Sequence, residues 1–287
     1  MRSWLVALGL LGGLSAHAQS PVWAIHGARN TVYLAESVHL LKAGDARLPP
    51  AFDRAYGNAK TVVMELDLSQ LDAAAMQSYF LEHATFKGGA TLRQTLGEQR
   101  YRKLSAEVEQ FGLPMAALEA FEPWAIALML TDLQYLKLGF DPDQGVERQI
   151  ERRAHDDGKP IQGLETLEEQ LGQLEHLSYE QQGRFLDLTL EELHEAEHET
   201  DELLVAWRNG DTQRLASLLS EEYTEFPELF SALVTERNKR WLPQIEHFLK
   251  DDRDYLVVVG ALHLVGKDGL LELARRDGLT ALPVRSN

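Results

Sequence analysis

Tyr255-Leu256-Val257-Val258-Val259-Gly260-Ala261-Leu262-His263 is a run of apolar, largely β-branched residues that stops at a glycine and then presents a histidine. The pattern predicts a buried strand ending in a tight turn, and the ends of such strands are where open sheets build their sites. A second stretch, Val32-Tyr33-Leu34-Ala35-Glu36-Ser37-Val38-His39, has the same form near the other end of the chain. Two histidines in matched settings predict that the ends of the chain come together around one site.

Working outward, Val22 to His26 and Thr31 to Glu36 are short apolar runs separated by Gly27-Ala28-Arg29-Asn30, a hairpin signal. Ala51 to Ala59 reads as a short helix, and Thr61-Val62-Val63-Met64-Glu65-Leu66-Asp67 as a third strand that carries the carboxylate of Glu65 on or near the sheet. From about Ser69 to Phe248 helical patterns dominate, with Leu71 to His83, Thr91 to Phe111 and an apolar core helix over Ala116 to Leu138. Pro160-Ile161-Gln162-Gly163-Leu164-Glu165 interrupts them as a brief strand with Glu165 at its end. Phe230 to Leu249 is predicted mostly helical with a kink at Pro243, followed by the Tyr255 to Val259 strand, a helix over Leu264 to Arg276 and a last strand over Thr280 to Val284. The fold class expected is α+β: a central mixed sheet formed by the N- and C-terminal segments, flanked by helices, with a long and mostly helical middle.

Composition narrows the function. The chain has 287 residues, 44% of them hydrophobic and 25% charged, which is ordinary for a globular protein with a real core. Residues 1–18 read as a secretory signal peptide, with Arg2 as the positive start, Trp4 to Leu14 as the apolar run and Ala16-His17-Ala18 as the small-residue cleavage site. The expected mature chain, residues 19–287, is then one domain that is periplasmic or secreted, and no later stretch reads as a membrane span. Of 28 basic residues only Arg2 lies in the leader, so 27 remain against 45 acidic ones, a balance of −18 that argues against nucleic acid and anionic membranes as partners. The absence of cysteine removes disulfides, thiolate metal sites and a cysteine nucleophile, leaving nitrogen and oxygen ligands for any metal.

A group of residues then comes into view. The two strand-plus-histidine motifs, Met64-Glu65-Leu66-Asp67, Gly163-Leu164-Glu165-Thr166 with Glu169-Gln170, Trp207 with Gly210-Asp211, Glu236-Arg237-Asn238, and Gly260-Ala261-Leu262-His263 with Gly266 and Gly269 resemble the TraB/GumN family in sequence and order. The resemblance spans nearly all of the expected mature chain. That family in turn is similar to the Tiki proteins, which are membrane-associated metal-dependent proteases, and more distantly to erythromycin-esterase-like and ChaN-like proteins. Carried over, the resemblance implies a site of His39, Glu65, Glu165, Arg237, Asn238 and His263. It also marks a departure, since Glu36 stands where the family's first motif has glycine. Glu36 either obstructs the site or adds a carboxylate to it.

The chemistry of these residues is coherent by itself. Two neutral imidazoles and one or two carboxylates suit a divalent zinc, manganese or cobalt ion with an open position for water, which such an ion acidifies. The assignment is His39, Glu65 and His263 as metal ligands, with Glu165 as base or fourth ligand. Arg237 and Asn238 are donors suited to a developing oxyanion or a substrate carboxylate. The function expected is a metal-dependent hydrolase, in particular a peptidase, acting on a peptide or small molecule. The alternatives are a non-catalytic binding protein on the same scaffold and a metal-independent hydrolase in which His39 or His263 acts as a base with a glutamate.

His194-Glu195-Ala196-Glu197-His198 matches the H-E-x-x-H pattern of zinc proteases. On a helical period, however, the apolar stripe of Leu186, Leu190, Leu193, Thr200, Leu204 and Trp207 leaves both histidines on a charged, solvated flank. His198→Ala is therefore expected to leave both metal content, by elemental analysis, and turnover unchanged.

Overall fold

The computed structural model describes residues 20–67, 73–194, 196–221 and 226–285, so the expected signal peptide lies outside the described residues. Six strands, β1 (Val22–His26), β2 (Thr31–Ser37), β3 (Thr61–Met64), β4 (Ile161–Gly163), β5 (Tyr255–Gly260) and β6 (Ala281–Pro283), form one mixed sheet in the order β4-β3-β5-β2-β1-β6. Neighbours among β4, β3, β5 and β2 run parallel, whereas β1 pairs antiparallel with β2 and with β6. The α+β class holds, with helices filling the interval between β3 and β5 apart from the short β4.

Parallel strands are covered on both faces, which is why β5 reads as continuous hydrophobic sequence rather than as an alternation. Leu256, Val257, Val258 and Val259 are all 0% exposed, as are Val62, Val63 and Leu34 on the flanking strands. The register sets Ser37 of β2 beside Gly260 of β5, and Met64 of β3 beside both Val258 and Gly163. Four parallel strands thus finish along one edge of the sheet. The β2 to β3 connection passes over β5, so the chain has a switch point there, the place where such sheets open a crevice.

Several elements differ from the sequence-based expectation. The third strand ends at Met64 rather than Asp67, because Glu65 turns its carboxylate onto the backbone N–H of Gly260 instead of continuing the ladder. The apolar helix begins at Pro123, not Ala116: proline suits the first helical turn, and only a short 3₁₀ turn, Met115–Ala117, precedes it. The expected helix over Leu264 to Arg276 is split into Ala261–Leu264 and Leu270–Arg276, with Gly266 at φ +80° between them. The H-E-x-x-H stretch does not lie on one helix. Tyr179–Glu192 ends before His194, the next helix is Ala196–Asn209, and the His194 ring is exposed and contacts Glu107 at 3.2 Å. The side chain of His198 lies outside the described residues. No helix among the described residues is long and apolar enough to cross a membrane.

Glu36 meets neither expectation set for it. Strand alternation turns its side chain to the face opposite Ser37, where it is 0% exposed, and neither carboxylate oxygen has a hydrogen-bond partner among the described residues. Its backbone carbonyl accepts from Trp207 Nε1 at 3.0 Å, which ties the strand to the helical layer. Burial pushes the carboxyl pKa well above its ordinary value and so favours the neutral form in the core. The folded-state pKa exceeds the unfolded one, so stability is fullest below the usual carboxylate range and declines as pH rises toward the folded value. Glu36→Leu should therefore stabilise the protein by on the order of 1–3 kcal/mol near neutral pH and flatten this pH dependence, as read by thermal melts across pH.

Candidate functional site

The four parallel strand ends deliver the site. Beyond β2 come Val38 and His39; the turn is pinned where the Val146 backbone N–H donates to the Val38 carbonyl at 3.0 Å. That contact requires Gly145, since a Cβ there would stand 2.1 Å from the His39 carbonyl oxygen. The helix that follows, Val146–Asp156, carries Glu147 in its first turn. His39 Nδ1 lies 2.7 Å from Glu147 Oε1, and the Ser37 hydroxyl donates to the same oxygen. The Glu147 carboxylate raises the His39 pKa to about 9, burial opposing it, although the imidazole is 68% exposed to solvent. His39 is thus held as a cation on the wall of an open crevice.

At the centre is Gly260. Its N–H donates to Glu65 Oε1 at 2.7 Å. A Cβ on this residue would stand 3.4 Å from Glu65 Oε1, 3.5 Å from His39 Nε2 and 3.7 Å from His263 Cδ2. The two histidines and Glu65 therefore converge around Gly260, where a Cβ would meet all three at ordinary contact distance. A cavity of about 230 Å³ opens beside it, lined by His39, Met64, Glu65, Glu147, Ile161 and Gln170 among others.

Behind this outer layer is a buried polar layer organised by Arg237, which is 6% exposed. Among the described residues it makes four hydrogen bonds and a further ion-pair contact. Nε donates to Glu165 Oε1 at 2.9 Å, NH1 to the Leu233 carbonyl at 3.0 Å and to His263 Nε2 at 3.1 Å, and NH2 reaches Glu65 Oε2 at 2.5 Å and Glu165 Oε1 at 2.6 Å. The guanidinium also lies over the Trp241 ring at 4.7 Å. A π-helical turn, Ser231–Thr235, directly precedes Glu236–Phe248 and sets the aim of Arg237 and Asn238.

Asn238 is equally occupied. Its Nδ2 donates to the carbonyls of His263 at 3.0 Å and Asp268 at 2.8 Å, and its Oδ1 faces His263 Nδ1 at 2.8 Å. Because Oδ1 can only accept, His263 carries its proton on Nδ1, leaving Nε2 as the acceptor that faces Arg237. Burial lowers the His263 pKa to about 3, so the ring is neutral. Burial acts to raise Glu65, yet His263, Arg237 and His39 with the Gly260 amide outweigh it and hold the carboxyl at about 2. With His263 neutral, the adjacent guanidinium is the main support of that charge. Glu165 is pushed upward by burial against the pull of Arg237, and Arg240 NH2 lies 3.4 Å from its second oxygen.

All six residues named from sequence are thus neighbours, in two layers. His39 and Glu65 face the cavity, whereas Glu165, Arg237, Asn238 and His263 are buried in the layer that braces Glu65. Glu147, Ser37 and Gln170, whose Nε2 reaches Glu65 Oε2 at 3.3 Å, were not among them. The one sequence signal for Glu147 is an acidic residue just after a glycine that opens a helix. Among the described residues no group of three or more His, Asp or Glu side chains is arranged to hold a metal ion. Of the expected ligands, His263 and Glu65 present their lone pairs to Arg237, and His39 is held through Nδ1 by Glu147.

Comparison with known proteins finds relatives over most of the chain. Two relatives, each named "Uncharacterized protein YbaP", from Escherichia coli (strain K12) and Shigella flexneri, are 25% identical over 244 residues, covering 85% of this chain and 87% of each relative. No solved structure matches the chain. The model of the TraB/PrgY/gumN family matches residues 21–283, which include every residue of the site, and the chain belongs to that family.

Proposed function

We propose that the chain is a hydrolase in which His39 supplies the proton to the leaving group, Glu65 orients the attacking water, and the adjoining cavity takes a peptide or small-molecule substrate. The observation that supports this most is the opposite electrostatic setting of the two histidines around Gly260: His39 raised to about 9 and His263 lowered to about 3. Environments that push paired groups apart in this way are how a site separates a proton donor from neutral and anionic partners at one pH. His39 keeps Nε2 on the cavity side because Glu147, to which the Ser37 hydroxyl donates, holds Nδ1.

In this reading water adds to the carbonyl carbon of the substrate, the bond to the leaving group breaks, and the leaving group takes the His39 proton. The proton shed by the water returns to His39 through solvent, to which the ring is open. Glu65, anionic and fixed by Gly260 and Arg237, accepts a hydrogen bond from the attacking water. Arg237 and Asn238 act from behind by fixing Glu65 and His263, to which their donors and acceptors are directed. The zinc, manganese or cobalt ion expected on His39, Glu65 and His263 fits this arrangement poorly, since a dication there would face the guanidinium. The leader-like residues 1–18 support a periplasmic or secreted location for this activity.

Turnover of fluorogenic peptide and ester panels should survive a chelator and fall about 10²- to 10⁴-fold in His39→Ala. Because the acid must be protonated, kcat/KM should decline as pH rises through about 9. Activity that a chelator abolishes and added zinc restores would overturn the reading. Glu147→Gln removes the largest cause of the raised His39 pKa, so the alkaline limb should move toward neutral pH. The same change should appear in the titration of the His39 ring by NMR, and Glu147→Asp should partly restore both.

A further inference from the structure

We propose that Arg237 is the resident cation of this centre: its guanidinium occupies the position that a divalent metal would take, and removing it uncovers a latent metal site. The argument begins with the donors. His263 Nε2, Glu65 Oε2 and Glu165 Oε1 belong to three separate segments of the chain, yet all three point at one guanidinium at 3.1, 2.5 and 2.6–2.9 Å. One neutral imidazole and two carboxylates form the donor set that borderline divalent ions such as zinc and manganese accept.

The spacing agrees. Glu65 Oε2 and Glu165 Oε1 stand 2.5 and 2.6 Å from the same guanidinium nitrogen, NH2, so two of the donors converge on one point, with His263 Nε2 on the neighbouring NH1. The supports around these donors also resemble those of a metal centre. His263 is locked in the Nδ1–H tautomer by Asn238, Glu65 is anchored by the Gly260 amide, and both are buried. Orientation of ligands by such outer partners is a usual feature of metal sites.

A guanidinium brings one positive charge and five donors in a rigid plane, so it satisfies several acceptors at once without demanding deprotonated, dehydrated coordination. It therefore orders the donors permanently, whatever the metal supply. The lone pair of His263 and one oxygen of each glutamate are committed to it, and a dication approaching them meets both blocked donors and a like charge. This inference is independent of the hydrolase reading, because metal binding is measured without substrate.

The test uses the full chain. Wild type, Arg237→Ala and Arg237→Gln are titrated with zinc chloride and with manganese chloride by calorimetry, and bound metal is measured by elemental analysis after gel filtration. The expected result is no stoichiometric ion in wild type and about one per chain in whichever Arg237 variant remains folded, lost again when His263→Ala is added. For wild type alone, manganese should leave the NMR resonances of the His263 ring unbroadened, which tests the proposal even where both variants unfold. Two results would overturn it: near-stoichiometric metal in wild type that His263→Ala or Glu65→Gln removes, or folded Arg237 variants that bind no more metal than wild type.

Discussion

One buried guanidinium joins four parts of this chain. Arg237 lies between Glu65 and Glu165, 172 and 72 residues away in sequence, and also donates to His263 and to its own helix at Leu233. A buried charge is tolerated only when it is paired and hydrogen-bonded, and here two carboxylates, an imidazole and a backbone carbonyl accept from the guanidinium. Such a pair adds little net stability relative to an apolar core. Removing one partner, however, typically costs about 3–5 kcal/mol because the other charge is left stranded. The cluster therefore acts mainly as a specification: the ends of β3, β4 and β5 have one arrangement that leaves no buried charge unpaired.

The sheet makes that arrangement reachable. Parallel strands β4, β3, β5 and β2 end on a common edge, and each contributes a residue at or just beyond its last position: Glu165, Glu65, Gly260 with His263, and His39. The two histidines and Glu65 converge around Gly260, whose amide fixes Glu65. The result is a layered site, with a solvent-facing pair of His39 and Glu147 over a dry brace of Arg237, Asn238 and His263. The same chemical group, imidazole, is charged in the first layer and neutral in the second. A carboxylate partner and water surround one ring, whereas burial and a guanidinium surround the other.

Much of this was legible in the sequence wherever the deciding forces were local. The β-branched run from Tyr255 to Val259, the hairpin around Gly27 to Asn30 and the brief strand before Glu165 were recognisable from periodicity and turn residues. The six site residues could be named because histidines and glutamates at strand ends, together with the family motifs, mark them. Boundaries were less legible where a single residue ends an element for a tertiary reason, as when Glu65 leaves the ladder to accept from Gly260. Glu147 gave almost no signal, since its role depends on a helix start being pressed against His39 through Gly145. Glu36 misled in the opposite sense: its place beside a motif pointed to the site, and strand alternation sends it into the core.

The sequence by itself determined the α+β class, the sheet built from both ends of the chain and the family, because these rest on hydrophobic period, turn chemistry and residue type. Only the tertiary structure decided how the site residues are partnered. It turned Arg237 and Asn238 inward as braces, made His39 a cation through Glu147, kept His263 neutral, and committed to a guanidinium the lone pairs that sequence alone assigned to a metal. The physical reason is that a pKa or a ligand set depends on which donors and acceptors meet within about 3 Å and how dry that place is. Those meetings join residues scattered along the chain, and no local pattern records them.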